Sequence, residues 1–203
     1  YQLQIQDGVI HPVTAEYVRE GIRLAEENRA EAVVLLLDTP GGLITSTRET
    51  VKTILAAGVP VLVYVAPSGA RAGSAGVFIT YAAHLAAMAP STNIGAAHPV
   101  ELAGDKKKER SLWDALRDWI DSLTRERESG RPGERGTASE DPGDRTVMED
   151  KVLQDTLAWV RSLARLRGRN EDWAEKSVRE SASITAEEAA RLVAAASAVQ
   201  EAL

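Results

Sequence analysis

Two short stretches hold the residue types from which a hydrolytic site is built. The first is Arg71-Ala72-Gly73-Ser74-Ala75-Gly76, a hydroxyl set between small residues. The second is Asp38-Thr39-Pro40-Gly41-Gly42, a turn ending in paired glycines. Each follows an apolar run and precedes a helix-like segment. A nucleophile must be exposed at a tight turn, and backbone N–H groups must be free to converge on one oxygen. Ser74 is the candidate nucleophile. The N–H of Ala75, at the start of a helix, and that of Gly41 or Gly42 are candidate oxyanion donors. The structural readings stand beside these: serine commonly caps helices, and Gly-Gly commonly makes an ordinary turn.

Two residues qualify as the base. Lys151 stands beside Met148 and Val152 at the edge of an apolar helix face. It must be neutral to accept a proton, which calls for a desolvated pocket; its structural reading is a snorkelling surface lysine. His98, in a loop of small residues, belongs to the side-chain class with the more natural affinity for the proton. His11 and His84 stand in no special setting. The chain has three histidines and no cysteine, which excludes a cysteine nucleophile, thiolate metal sites and disulfides, and points to no metal site and no cofactor.

The 203 residues suit one domain with an appendage. A net charge of −6 gives no reason to expect nucleic acid, and no apolar run reaches the ~20 residues of a membrane span. The start at Tyr1, directly in strand-like sequence, suggests that an upstream segment such as a signal peptide has been removed.

The elements that must position these residues follow in order. Residues Gln2 to Ile10 alternate as a strand, and Thr14 can cap a helix to about Asn28. Val33 to Leu37 is an unbroken apolar run, as in a strand covered on both faces. A helix with Thr47, Val51, Ile54 and Leu55 ends at Gly58. Val61 to Ala66 is the next strand, Pro67 to Gly73 a turn, and Ser74 opens a helix of small residues to Ala83. Leu85 to Ala89 reads as a short strand and Pro90 to Pro99 as a loop. This alternation predicts an α/β fold with a largely parallel sheet.

Composition changes at Asp105. Asp105 to Arg145 holds 10 basic and 11 acidic residues. Leu112, Trp113, Leu116, Trp119, Ile120 and Leu123 within it predict an amphipathic helix, and Thr124 to Thr146 reads as mobile or disordered. A long helix from about Val147 to Arg167, closed by Gly168, follows, with Val152, Thr156, Trp159, Val160 and Leu163 as its buried face. Asn170 or Glu171 starts a short helix, and Thr185-Ala-Glu-Glu188 forms a capping box for a last one.

Taken together, Asp38-Thr-Pro-Gly-Gly42, Ser74-Ala-Gly76, Met88-Ala-Pro90, Asn93-Ile-Gly95, the helix from Lys151 to Ala164, Gly168-Arg-Asn170 and Trp173-Ala-Glu-Lys176 resemble the NfeD family of membrane-bound serine proteases. The resemblance implies a ClpP/crotonase-like fold over residues 1–203, interrupted by the charged insert at about 105–145. It implies a Ser74–Lys151 dyad without cofactor, and an oxyanion hole from Gly41 or Gly42 with Ala75. Substrate would pair as a strand near Gly41 to Leu43 and along Ser68, Gly69 and Ala70. It also implies a peptide substrate with an apolar segment, a stomatin-like partner, a homodimer or larger homo-oligomer, and an extracytoplasmic module anchored to the membrane by segments outside this chain. His98-Pro99 falls where ClpP carries its triad histidine and remains a rival base. Two other classes stay open: a binding module without proteolysis, and a crotonase-fold acyl-CoA enzyme. The alanine-rich stretch after Leu192 departs from the strand that relatives usually carry.

Overall fold

The computed structural model describes residues 1–99 and 142–192, with side chains from residue 150 onward in the second stretch. The amphipathic segment at 112–123, the charged insert up to residue 141 and the stretch after Leu192 lie outside the described residues; from Pro142 the chain is already helical, five residues before the expected start and within the stretch expected to be disordered. The described residues before 100 and from 149 on belong to one compact unit.

Four strands form a wholly parallel sheet in the order β1 (Gln2–Ile5), β2 (Val33–Leu37), β3 (Val61–Val65), β5 (Leu85–Met88). The register sets Leu3 beside Leu35, Leu35 beside Val63, and Val63 beside Ala86. Because side chains alternate across a strand, one face collects Leu3, Ile5, Val33, Leu35, Leu37, Val61, Val63 and Val65, all buried. On the other face Val34, Leu36, Leu62 and Tyr64 are only half-buried and Leu85 is exposed. The continuous apolar runs therefore do not mean equal cover on both sides.

The buried face packs against α1 (Pro12–Glu27), α2 (Ile44–Ala56), α3 (Ala75–Ala82) and α4 (Pro142–Leu166) in a single core. All eight residues of α3 are buried. From α4 come Leu157, Val160, Leu163 and Ala164. Thr156 belongs to the predicted buried face, but Val152 is exposed at 37%, so the stripe begins further along.

A second, three-stranded sheet was not foreseen. Segments expected as turn and loop contain β4 (Arg71–Gly73) and β6 (Asn93–Gly95), which pair in parallel. β7 (Ser183–Thr185) lies antiparallel to β6. Three-residue strands hold too little periodicity to be read locally; their partners lie far along the chain.

The Thr185–Glu188 box is as expected, and of the two residues expected to start the short helix Asn170 is its cap. Asn170 accepts the N–H of Trp173 at the start of α5 (Glu171–Arg179), and Thr185 and Glu188 exchange both bonds of a capping box. One cap is not as expected: His11 caps α1 through Nδ1, which accepts the Val13 N–H, while Thr14 donates to the Val9 carbonyl. Pro12 at the first helical position suits that early start.

The loop between α4 and α5 returns over the end of α3. Arg169 donates to the Tyr81 and Ala83 carbonyls and Arg167 to that of Ala82. Cations thus cover the electronegative end of the helix. Burial brings the Arg169 pKa down to about 10. The adjoining His84 accepts the Val61 N–H through Nδ1. Desolvation, followed by the Arg167 and Arg169 charges, holds the His84 pKa below the ordinary histidine value. A base depressed in the folded state favours folding fully above its unfolded value of ~6.5 and progressively less as pH falls through the lower folded value. Melting temperatures recorded across that acid range should therefore fall for the wild type. The fall should be shallower for His84→Asn, which keeps an acceptor for Val61 but cannot titrate.

Candidate active site

The two chemistry-bearing turns are held together by main-chain pairing. Thr39 and Ala72 form a parallel bridge: the Thr39 N–H donates to the Arg71 carbonyl at 2.8 Å, and the Gly73 N–H to the Thr39 carbonyl at 2.9 Å. The Asp38 carboxylate adds a third bond, accepting the Arg71 N–H at 3.0 Å. In this way β2 continues past the first sheet and becomes the neighbour of β4 in the second. The order of strands alone does not reveal that junction.

Ser74 follows β4 directly. Its N–H donates to the Gly95 carbonyl at 2.9 Å, so β6 supports it from one side. Its backbone lies at φ 48°, ψ −104°, outside the conformation of a helix-capping serine. A non-glycine residue held there costs about 1–3 kcal/mol, which the surrounding structure must offset. Ser74 occupies the position before α3 without capping it: its hydroxyl makes no capping hydrogen bond, and its carbonyl accepts the Val77 N–H. The ordinary structural use of a serine at a helix start is therefore absent. Among the described residues no acceptor takes the N–H of Ala75 or Gly76, the first two amides of α3.

The two glycines of the first turn differ. Gly41 has φ +129°, and a Cβ there would lie 2.7 Å from the Ser74 Cβ; the turn thus stands directly against the serine. Its N–H is already committed to Thr39 Oγ1 at 3.1 Å, while the same buried hydroxyl donates to the Gly8 carbonyl at 2.6 Å. Gly42 forms a parallel bridge with Ile10. The Ile10 N–H donates to the Gly41 carbonyl and the Leu43 N–H to the Ile10 carbonyl, each at 2.8 Å. A Cβ on Gly42 would meet the Ile10 carbonyl oxygen at 2.1 Å. In an extended segment successive residues direct their polar groups to opposite sides. The Gly42 N–H and carbonyl therefore face away from Ile10, and among the described residues neither has a partner.

Ser68 and Gly69 are exposed, and Ala70 is buried. The Gly69 N–H donates to Ser91 and the Ala70 N–H to Pro67, while the Ala70 carbonyl accepts from Asn93. This segment has less free main chain than the Gly42 edge. Leu43 is exposed at 40% beside that edge.

The candidate bases are placed differently. Lys151 is exposed on α4, and among the described residues it makes no hydrogen bond or ion pair. Asp155, one turn further along α4, pairs with Arg48 of α2. The half-buried His98 has Nδ1 at 2.9 Å from the Val178 carbonyl. The carbonyl can only accept, so Nδ1 carries the proton and Nε2 is left as the basic nitrogen. No described hydrogen bond joins Ser74 Oγ to Lys151 or His98. Thr39 and Asp38, which order the turn, were missed as contributors. Their signal was the Asp-Thr pair directly before Pro-Gly-Gly. A separate apolar concavity of about 250 Å³ lies on the half-buried sheet face, lined by Val34, Leu62, Val63, Tyr64, Leu85 and Ala87; it includes no residue of either turn.

Residues 1–129 match the family described as NfeD1b, N-terminal domain. The chain belongs to this NfeD1b family. It is 32% identical over 189 residues to the membrane-bound protease PH1510 of Pyrococcus horikoshii, covering 93% of this chain and 34% of that protein. It is 34% identical over 101 residues to the membrane protein NfeD1b of Bacillus subtilis strain 168, covering 49% of this chain and 22% of that one. The chain thus spans about a third or less of these relatives' length.

Two solved structures share this fold, each with TM-score 0.69, 32% identity and cover of 95% of this chain. One is a serine-to-alanine mutant of the 1510-N membrane-bound stomatin-specific protease, of which 75% is covered. The other is a lysine-to-alanine mutant of that protease in complex with a substrate peptide, of which 71% is covered. The fold is ClpP-like, as the motifs implied.

The contacts around the turn predict unequal effects of adding one methyl group. Gly41→Ala and Gly42→Ala should each destabilise the protein by about 2 kcal/mol or more, the first by strain and contact with Ser74, the second by displacing Ile10. Gly58→Ala, whose Cβ would meet only the end of Glu26 at 3.5 Å, should stay within about 0.5 kcal/mol. Urea unfolding of the three variants checks this ranking. Thr39→Val should cost about 1–3 kcal/mol by stranding the half-buried Gly8 carbonyl and the buried Gly41 N–H.

Proposed function

We propose that this chain is the catalytic domain of a serine endopeptidase in which Ser74 is the nucleophile and Lys151 the general base. The observation that carries the reading is the state of Ser74: it is held at positive φ, does not cap the helix it precedes, and lies against the Gly41-Gly42 turn. The lysine is supported by its place on α4 and by the family relatives, whose structures include both serine and lysine mutants.

The reaction follows from these groups. The neutral Lys151 amine takes the Ser74 Oγ proton as Oγ bonds to the peptide carbonyl carbon. The Gly42 and Ala75 N–H groups hold the resulting oxyanion; the Gly41 N–H stays with Thr39 and keeps the turn in shape. Each such donor is worth about 3 kcal/mol in the transition state. As the tetrahedral species collapses, the peptide C–N bond breaks and the lysine ammonium returns its proton to the leaving amine. Water then enters, loses a proton to Lys151 as it bonds to the acyl carbon, and the second tetrahedral species collapses by breaking the acyl C–Oγ bond while the Lys151 ammonium returns that proton to Ser74 Oγ, which frees the acid and restores the neutral amine.

Lys151 is exposed in this structure, so the water exclusion that favours a neutral amine falls to bound substrate. An apolar peptide laid as a strand along Gly42 and Leu43 would use the free Gly42 main chain and the exposed Leu43 side chain, with Ser68, Gly69 and Ala70 on its other flank. We further assign the physiological substrate to an apolar segment of a membrane-associated, stomatin-like protein. The domain would act as a homodimer or larger homo-oligomer, on the extracytoplasmic side, held to the membrane by parts of the protein outside this chain. No described helix is long and apolar enough to cross a membrane.

The His98 tautomer supports a second reading, with Nε2 as the base. Cleavage of an apolar peptide by single variants separates the possibilities. Ser74→Ala and Lys151→Ala should each lose at least on the order of 1,000-fold in kcat, and His98→Ala should retain wild-type kcat within a few-fold. Activity surviving in Lys151→Ala and lost in His98→Ala would transfer the base to histidine. Peptide binding without cleavage by the wild type would make the domain a binding module.

A further inference from the structure

The three parts of the proposed site each lead into or stand on a different helix. The Gly41-Gly42 turn leads into α2, Ser74 into α3, and Lys151 stands on α4. Burial of Leu157, Val160 and Leu163 docks α4 on the core, and at its far end Arg167 and Arg169 tie the following loop to the last carbonyls of α3. Lys151 makes no described bond that would set its position. Contacts nearer Lys151 than these must set its end of α4 relative to Ser74.

One side-chain stack touches all three helices. The indole of Trp159 on α4 lies against the ring of Phe78 on α3, with centroids 4.3 Å apart and planes 14° from parallel. The guanidinium of Arg48 on α2 lies 4.3 Å from the centroid of the same indole. Arg48 also pairs with the Asp155 carboxylate on α4. Phe78 is one turn beyond Ser74, Arg48 is one turn into α2, and Trp159 is two turns, about 12 Å, beyond Lys151. Stacking and ion pairing are directional, so together they define both the rotation and the axial position of α4.

We propose that Arg48 and Trp159 are positioning residues, which set the Lys151 helix in register with the helices of the nucleophile and the oxyanion turn. The inference rests on the serine–lysine reading above. It touches transition-state geometry and not peptide affinity, because neither residue belongs to the proposed peptide-binding edge. Misplacement of a reacting group by about 1 Å can cost on the order of 100-fold.

The experiment measures kcat and KM on a fluorescence-quenched peptide of alternating Leu, Ile and Val, with melting temperatures recorded in parallel. Arg48→Met and Trp159→Leu should each lower kcat by about tenfold or more with KM within about threefold. Trp159→Phe, which preserves a stacking ring, should recover most of kcat. Val18→Ala, a core truncation in α1, should lower the melting temperature without a matching loss of kcat. The proposal is overturned by wild-type kcat in Arg48→Met, by a loss confined to KM, or by an equal kcat loss in Val18→Ala at matched stability. Arg48→Met decides the matter if Trp159→Leu does not fold. An active wild type with inert Ser74→Ala and Lys151→Ala, beside an unaffected Arg48→Met, defeats this inference alone. An active Ser74→Ala, or a wild type that leaves the peptide intact, defeats the catalytic reading and this inference with it.

Discussion

The pairing of Asp38-Thr39 with Arg71-Gly73 is the constraint on which the rest depends. Three hydrogen bonds join the end of one sheet to the start of another, and in doing so set Gly41 against Ser74. Thr39 then commits its hydroxyl to Gly8 and to the Gly41 N–H, which leaves the next amide, at Gly42, as the available one. A small rearrangement here would alter the strand junction, the glycine conformation and the setting of the serine together. Close contacts give such a turn few alternative shapes.

The polarity of α3 agrees with this arrangement. Among the described residues its first amides have no acceptor beside Ser74, while Arg167 and Arg169 cover its last carbonyls. A helix buried throughout its length needs partners for the polar groups at its ends. Cations at the far end satisfy the carbonyls. At the near end, the uncommitted amides suit an anion that forms only during reaction, as the proposed mechanism requires. The strained serine conformation is tolerable because the Gly95 carbonyl and the packed α3 hold it from both sides.

Much of this was legible locally. Unbroken runs such as Val33–Leu37 and Val61–Val65 marked the parallel strands, the Thr185–Glu188 box was read directly, and the start of α5 was narrowed to Asn170 or Glu171. The misreadings share a cause. β4, β6 and β7 have three residues each and owe their existence to partners far away. Val152 fits a helical apolar stripe but emerges at the surface, because where a stripe meets the core depends on how the helix is docked. His11 became a cap only because the chain turns just before Pro12.

Residue type and spacing alone determined the α/β alternation, the absence of thiol chemistry and the choice of Ser74, Lys151 and His98 as reactive candidates. Those are local properties, set by side-chain chemistry and by periodicities of two and 3.6 residues. Tertiary structure decided which turn stands against the serine, which of two adjacent glycine amides is free, and which nitrogen of His98 carries the proton. It also brought Arg48, Phe78 and Trp159 into one stack. Each of these depends on a hydrogen bond or contact between residues distant in the chain, and a hydrogen-bonding group shows nothing of its partner until the fold supplies one.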